Sequence, residues 1–200
     1  MLSIILENVT KSFGGKAVFR DFSLDISGSG TVALIGPSGC GKTTLIRMLA
    51  GLEEPDSGRI SAQYSRLSVV FQEDRLLGGV SAFGNVQAVL GRKNKQLALD
   101  WLEKMGLRND SHLLPAEMSG GMRRRLAIAR AMAYGGDFIL LDEPFAGLDD
   151  ATRERIYPYI FNGENTAGLI ILVTHDRQEA EHLAKRVIVM EGPPLNTAGG

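Results

Sequence analysis

The run Gly36-Pro37-Ser38-Gly39-Cys40-Gly41-Lys42-Thr43-Thr44 follows directly on the apolar segment Thr31-Val32-Ala33-Leu34-Ile35. A glycine, four free positions and then Gly-Lys-Thr fits the template of a phosphate-binding loop between a strand and a helix. A chain that leaves a buried strand and turns at once into a helix needs small residues. Gly36, Gly39 and Gly41 let the backbone curl with its N–H groups pointing inward. Lys42 would reach the β- and γ-phosphates, the Thr43 hydroxyl would ligate Mg2+, and the helix predicted over 44–49 would add its positive N-terminal dipole. The alternative is an ordinary Gly-rich turn from strand to helix. The pattern predicts that the chain binds a nucleoside triphosphate.

At 200 residues the chain fits one domain, or one core with a small inserted subdomain. A formal net charge of -1 and 22% charged residues give no broad basic footprint, so nucleic acid is not an expected partner. Cys40 is the single cysteine, which excludes a disulfide framework and fits a reducing compartment. Its thiol would be activated at a helix N-terminus, or it is simply a small residue that fits the loop. No stretch approaches the roughly 18 apolar residues that a membrane-crossing helix needs. The N-terminal stretch MLSIILENVTKSFGG lacks a basic start and a long apolar run, and reads as a strand and not as a signal peptide. The expectation is a protein that is soluble when isolated, with any membrane role exercised through a partner.

Short β-branched segments alternate with helix-like ones, which predicts an α/β fold with a mostly parallel sheet. Strands are expected over 3–9, 18–25, 31–35, 68–71, 138–141, 168–173 and 186–191, the first two antiparallel and edge-like. Between 74 and 117 the apolar spacing becomes helical, at 86–90 and 97–105, with punctuation at Gly78-Gly79, Gly106 and Pro115. This divides the chain into a core of about 1–73 and 123–191, an inserted helical subdomain of about 74–122, and a tail, 192–200, expected to fray.

The segment Phe138-Ile139-Leu140-Leu141-Asp142-Glu143 is an apolar strand that delivers two carboxylates at its C-terminal end, where sheets of this kind bind ligands. Adjacent strand side chains point to opposite faces, so the two carboxylates are expected to do different jobs. Asp142 would hold Mg2+ through water, and Glu143 would polarise the attacking water as general base. Further on, Met118-Ser119-Gly120-Gly121-Met122 opens a helix for which Ser119 is a candidate N-cap, making a second anion site. The arginines that follow, Arg123-Arg124-Arg125, read as a solvated or phosphate-facing stripe.

In their order these motifs resemble the ATP-binding cassette (ABC) ATPases over nearly the whole chain. The matches are Phe13, the loop 36–44, Gln72 in Val-Val-Phe-Gln-Glu-Asp, Ser119-Gly120-Gly121, Asp142-Glu143, Ala146-Gly147-Leu148-Asp149, and His175 in Val-Thr-His-Asp. Taken alone, Phe13 reads as core, Gln72 as a strand-end amide, Asp149 as a helix cap and His175 as a loop histidine. The resemblance implies a P-loop NTPase core whose cofactors are ATP and Mg2+. It implies two cassettes packed head to tail, most simply a homodimer, with the Ser119 turn of one capping the γ-phosphate held by the other. Phe13 would stack on adenine, Gln72 would contact Mg2+ or the attacking water, Asp149 would communicate across the dimer, and His175 would hydrogen-bond the γ-phosphate. The implied function is ATP hydrolysis coupled to transport at the cytoplasmic face of the cell membrane. Transmembrane permease subunits would be direct partners, and a solute-binding protein an indirect one.

The signature reads Met-Ser-Gly-Gly-Met where the family more often has leucine first and glutamine last, but its Ser-Gly-Gly core is intact. The stretch 58–71 is shorter than usual and the chain stops soon after the last strand, so a minimal cassette is expected. The run 71–77 and the arginines after the signature are similar to importer cassettes of the nitrate, sulfonate and taurine group. A soluble ABC ATPase of DNA repair or translation is the alternative. DNA-repair members separate the two motifs by a long coiled coil, and translation factors carry two cassettes in one chain. A module that binds ATP without hydrolysing it could dispense with Glu143 and His175.

Overall fold

A computed structural model describes residues 2–91, 94–162 and 168–196. The chain divides into two compact units, one of residues 1–67, 137–143 and 167–200 and the other of 68–136 and 144–166.

The first unit opens with β1 (Ser3–Phe13) and β2 (Lys16–Ser27), antiparallel and joined at Gly14-Gly15. Alternation, interrupted by shifts of register between Leu6 and Val9 and between Val9 and Lys11, buries Ile4, Leu6 and Val9 from one strand and Phe19, Phe22, Leu24 and Ile26 from the other. Strand β4 (Ser57–Gln63) pairs antiparallel with β1, so these three form their own sheet, in the order β2-β1-β4. β1 is thus a central strand and not an edge. β4 escaped the sequence reading because only Ile60 among its seven residues is even partly buried, which leaves no apolar alternation.

The second sheet has the order β5-β6-β7-β3-β8 and carries the chemistry. Its strands are β3 (Gly30–Ile35), β5 (Leu67–Val70), β6 (Phe138–Asp142), β7 (Leu169–Val173) and β8 (Arg186–Val189). The pairs β6/β7, β7/β3 and β3/β8 are parallel. Every residue of β6 and β7 is buried, as expected of central parallel strands covered on both faces. Helix α1 (Lys42–Leu49) buries Leu45, Ile46, Met48 and Leu49, and α6 (Arg177–Leu183) sets Ala180 against Ala33 and Ile35 of β3. The 192–196 segment is not frayed. Leu195 is buried and exchanges backbone hydrogen bonds with β2, its N–H reaching Val18 O at 2.9 Å and its carbonyl accepting from Arg20 at 2.9 Å. Residues 197–200 of the predicted tail lie outside the described residues.

The second unit is mostly helical: α2 (Ala82–Leu90), α3 (Lys95–Lys104), α4 (Gly120–Tyr134) and α5 (Asp150–Phe161). The first three pack on one another. Helix α4 buries Leu126, Ala127, Ile128 and Ala129 along its middle. Among the described residues no helix is long and apolar enough to cross a membrane.

Candidate functional site

The loop between β3 and α1 is built around two glycines that nothing larger can replace. A Cβ on Gly36 would stand 2.4 Å from the Met190 carbonyl oxygen and 3.0 Å from Cys40 Sγ. Gly41 has φ 110°, and a Cβ there would meet Val18 at 2.8 Å and Phe19 at 3.2 Å. Cys40 is fully buried beneath Gly36, which suits the role of a small residue that fits the loop. Pro37, Ser38, Gly39 and Thr43 are exposed, and Thr44 is half-buried.

The Lys42 side chain folds back over this loop. Its Nζ donates to Gly36 O at 2.8 Å and Pro37 O at 2.9 Å, and only 7% of the residue is exposed. An ammonium held by carbonyls of the loop it caps sits where phosphate oxygens would need it. No side chain caps the start of α1. The first N–H groups of a helix have no intrahelical partner, so this terminus is suited to an anion.

The strand-end carboxylates separate by a different route from the one the sequence implied. Strand β6 stops at Asp142, and Glu143 has already left it in a left-handed conformation, φ 47°. Asp142 is 1% exposed, whereas the Glu143 side chain is 23% exposed. Chain reversal, more than strand alternation, parts the two. The Glu143 N–H donates to Val173 O at 2.9 Å, which ties the reversal to the end of β7. His175 follows in the next loop, with Nδ1 3.5 Å from Glu143 Oε2. The loop 36–44, Asp142-Glu143 and His175 therefore stand at the C-terminal ends of three adjacent parallel strands, β3, β6 and β7.

Phe13 is not core. It ends β1 with 48% of its surface exposed, and Lys11 Nζ lies 5.1 Å from its ring centroid. Lys11 is buried and pairs with Glu53 at 2.7 Å and Asp56 at 3.3 Å. The hydrogen bond to Glu53 raises its pKa above the ordinary value, against the opposing effect of burial.

The second unit carries the remaining candidates. Ser119 caps α4 as expected, accepting from the Met122 N–H at 3.2 Å. Ser119 and Gly120 are exposed, and a Cβ on Gly121 would come within 3.4 Å of Leu148. Asp149 is exposed and caps α5, accepting from the Thr152 N–H at 2.9 Å and hydroxyl at 2.8 Å. The Thr152 hydroxyl and N–H hold its carboxyl below the usual carboxylate range. Gln72 is exposed just beyond β5.

The arginines after the signature are not a solvated stripe. Arg123 donates to Met118 O at 2.7 Å, Arg124 to Phe71 O at 2.7 Å and to Gln72 O, and Arg125 to Met105 O at 2.7 Å. Arg124 and Arg125 satisfy backbone carbonyls of other segments, and Arg123 satisfies that of Met118, just ahead of its own helix. Sequence reasoning missed this because a run of arginines carries no mark of which carbonyls it will meet.

The ABC transporter family profile matches residues 19–146. The Fe(3+) ions import ATP-binding protein FbpC of Agrobacterium fabrum is 40% identical over 214 aligned residues, covering 98% of this chain and 61% of FbpC. The taurine import ATP-binding protein TauB of Pseudomonas aeruginosa is 40% identical, covering 90% of this chain and 73% of TauB. An aliphatic sulfonates import ATP-binding protein of Rhodococcus jostii is 41% identical, covering 95% of this chain and 72% of that protein. The chain thus spans about three fifths of the length of FbpC. Among solved structures, the dimeric bacterial ABC transporter cassette MJ0796 superposes with a TM-score of 0.83 at 27% identity, covering 94% of both chains. The same cassette in a post-hydrolysis state bound to ADP and Pi superposes equally well. With about two fifths of its residues shared with these proteins along nearly its whole length, the chain belongs to the ABC transporter family.

Proposed function

We propose that this chain is the ATP-hydrolysing, energy-coupling subunit of a membrane importer, in which two copies enclose two ATP-Mg and drive transmembrane permease subunits. The observation that carries this reading is the placing of Lys42, Asp142, Glu143 and His175 at the ends of three neighbouring parallel strands. A phosphate cradle and a carboxylate able to take a proton from water are what phosphoryl transfer to water requires.

Lys42 and the start of α1 hold the β- and γ-phosphates. Glu143 accepts a proton from the attacking water as its oxygen bonds to the γ-phosphorus and the bond to the ADP oxygen breaks, giving ADP and phosphate. His175 donates to a γ-phosphate oxygen and, 3.5 Å from Glu143, keeps that carboxylate oriented. Phe13 offers its exposed ring to adenine. The Thr43 hydroxyl and Asp142 carboxylate, with Gln72, are hard oxygen donors of the kind Mg2+ prefers. When bound, that ion neutralises charge on the phosphates.

The Ser119-Gly120-Gly121 turn is exposed at the start of a fifteen-residue helix and faces the second cassette's nucleotide in this reading. Asp149 lies at the same interface. Relatives named as import proteins favour this account over a soluble ATPase of DNA repair or translation. The cargoes in their names, Fe(3+), taurine and aliphatic sulfonates, differ, as expected if the subunit handles only nucleotide. The chain would work at the cytoplasmic face of the membrane, with a solute-binding protein delivering cargo on the other side.

The test is reconstitution in vesicles with a candidate permease and its solute-binding protein. Solute-loaded binding protein should stimulate phosphate release. A chain that neither co-purifies with the permease nor responds to solute would overturn the importer reading.

A further inference from the structure

Two segments with proposed roles at nucleotide, Gln72 and the Ser119 turn, are joined by a bracket of paired charge centred on a buried arginine. Arg124 lies one turn inside α4, and its side chain is only 8% exposed. Its guanidinium donates to Phe71 O at 2.7 Å and to Gln72 O, and lies 3.3 Å from Asp74 Oδ1. The other oxygen of Asp74 lies 3.8 Å from Arg123 Nε. Arg123 in turn donates to the carbonyl of Met118, the residue immediately before Ser119. Arg130, lower on the same helix, donates to Arg75 O at 3.0 Å and Asp74 O at 3.4 Å.

A guanidinium presents several donors in a rigid planar fork, so one arginine can fix two carbonyls and a carboxylate together. Two such forks along α4, those of Arg124 and Arg130, hold carbonyls of the 71–75 backbone, and with Arg123 at the Asp74 carboxylate they leave that segment little freedom apart from the helix. The Gln72 side chain remains exposed while its own carbonyl is clamped. The side chain is free to meet a ligand, and the backbone cannot shift without pulling on α4.

We propose that Arg124, acting with Asp74 and Arg123, is a positioning residue that locks the Gln72 backbone to the start of α4, so that Gln72 and Ser119 move as one body. This rests on the proposed roles of Gln72 and Ser119 at nucleotide. A displacement of Gln72, whether by nucleotide or by a partner, is thereby passed to the signature turn.

The test is a double-mutant cycle on the full chain, read by phosphate release and by amide exchange. Arg124→Gln should lower kcat about tenfold and change KM for ATP less than about twofold, since charge-assisted hydrogen bonds are lost while the phosphate loop is untouched. In a Gln72→Ala background the same substitution should cost less than about twofold, because its effect runs through Gln72. Additive losses would overturn the proposal, as would an unchanged kcat for Arg124→Gln alone. Arg124→Lys, which keeps the charge but loses the fork, should fall between. If Arg124→Gln does not fold, Asp74→Asn must give the same non-additive pattern. If Gln72→Ala by itself leaves kcat unchanged, the proposed role of Gln72 fails, and the bracket is then judged by exchange at residues 72–74. About tenfold faster exchange in Arg124→Gln supports it, and unchanged exchange overturns it.

Discussion

Glu143 Oε2 and His175 Nδ1 lie 3.5 Å apart, although 32 positions separate the two residues in the chain. Each leaves the C-terminal end of one of two paired strands, β6 and β7, and the hydrogen bond from Glu143 N to Val173 O fixes how the first turns away. Glu143 adopts φ 47°, a conformation that costs a non-glycine residue of the order of 1 kcal/mol or more. The strand pairing holds it there, and the gain is a carboxylate aimed toward the histidine.

His175→Ala should therefore slow phosphate release by on the order of 10²-fold while leaving ATP affinity within a few-fold. Calorimetric titration alongside steady-state turnover separates the two. An equal loss in affinity would place His175 in ground-state binding instead.

Lys42→Ala should abolish tight nucleotide binding. Its Nζ bridges two loop carbonyls at 2.8 and 2.9 Å, so truncation removes the charge and the brace together. Unchanged affinity by calorimetry would refute the assignment of Lys42 as a phosphate ligand.

Gly41→Ala should act on the same loop through sterics. Its φ of 110° and the 2.8 Å approach to Val18 leave no room for a methyl group. The expected result is at least about tenfold weaker ATP binding, the loop being displaced by more than about 1 kcal/mol of strain. Wild-type affinity would show that the loop can yield there.

Much of this arrangement was legible before any coordinates. Strands 31–35, 138–141 and 168–173 announced themselves as continuous apolar runs, because both faces of a central parallel strand are covered. Ser119 was readable as a cap because its hydroxyl has a local partner three residues on. Strand β4 was not readable, since its place comes from backbone pairing with β1 and its side chains face water. Nor were the partners of Arg124 and Arg125, which lie 20 or more positions away at Phe71, Gln72 and Met105. Asp149 shows both readings in one residue, a helix cap by geometry and a proposed contact across the dimer by family likeness.

Stability should carry one acid-sensitive component at Asp137. Burial alone would raise its pKa, but the N–H groups of Arg66 and Ser65 and the Ser65 hydroxyl together bring it below the ordinary 3.8. A carboxyl with a depressed folded-state pKa stabilises the fold above its unfolded value and loses that contribution as pH falls through the folded one. Asp137→Asn should lower Tm by about 2–4 °C at neutral pH, equivalent to roughly 1 kcal/mol. The gap from wild type should close progressively below pH 3.8. A gap that widens in acid would contradict this.

The account stands most directly on Glu143 as the group that accepts the proton from water. Phosphate release and ATP affinity should be measured side by side for wild type and Glu143→Gln. The substitution should retain ATP affinity, slow turnover by on the order of 10²- to 10⁴-fold, and let ATP trap a dimer on a sizing column. Turnover equal to wild type would contradict the account.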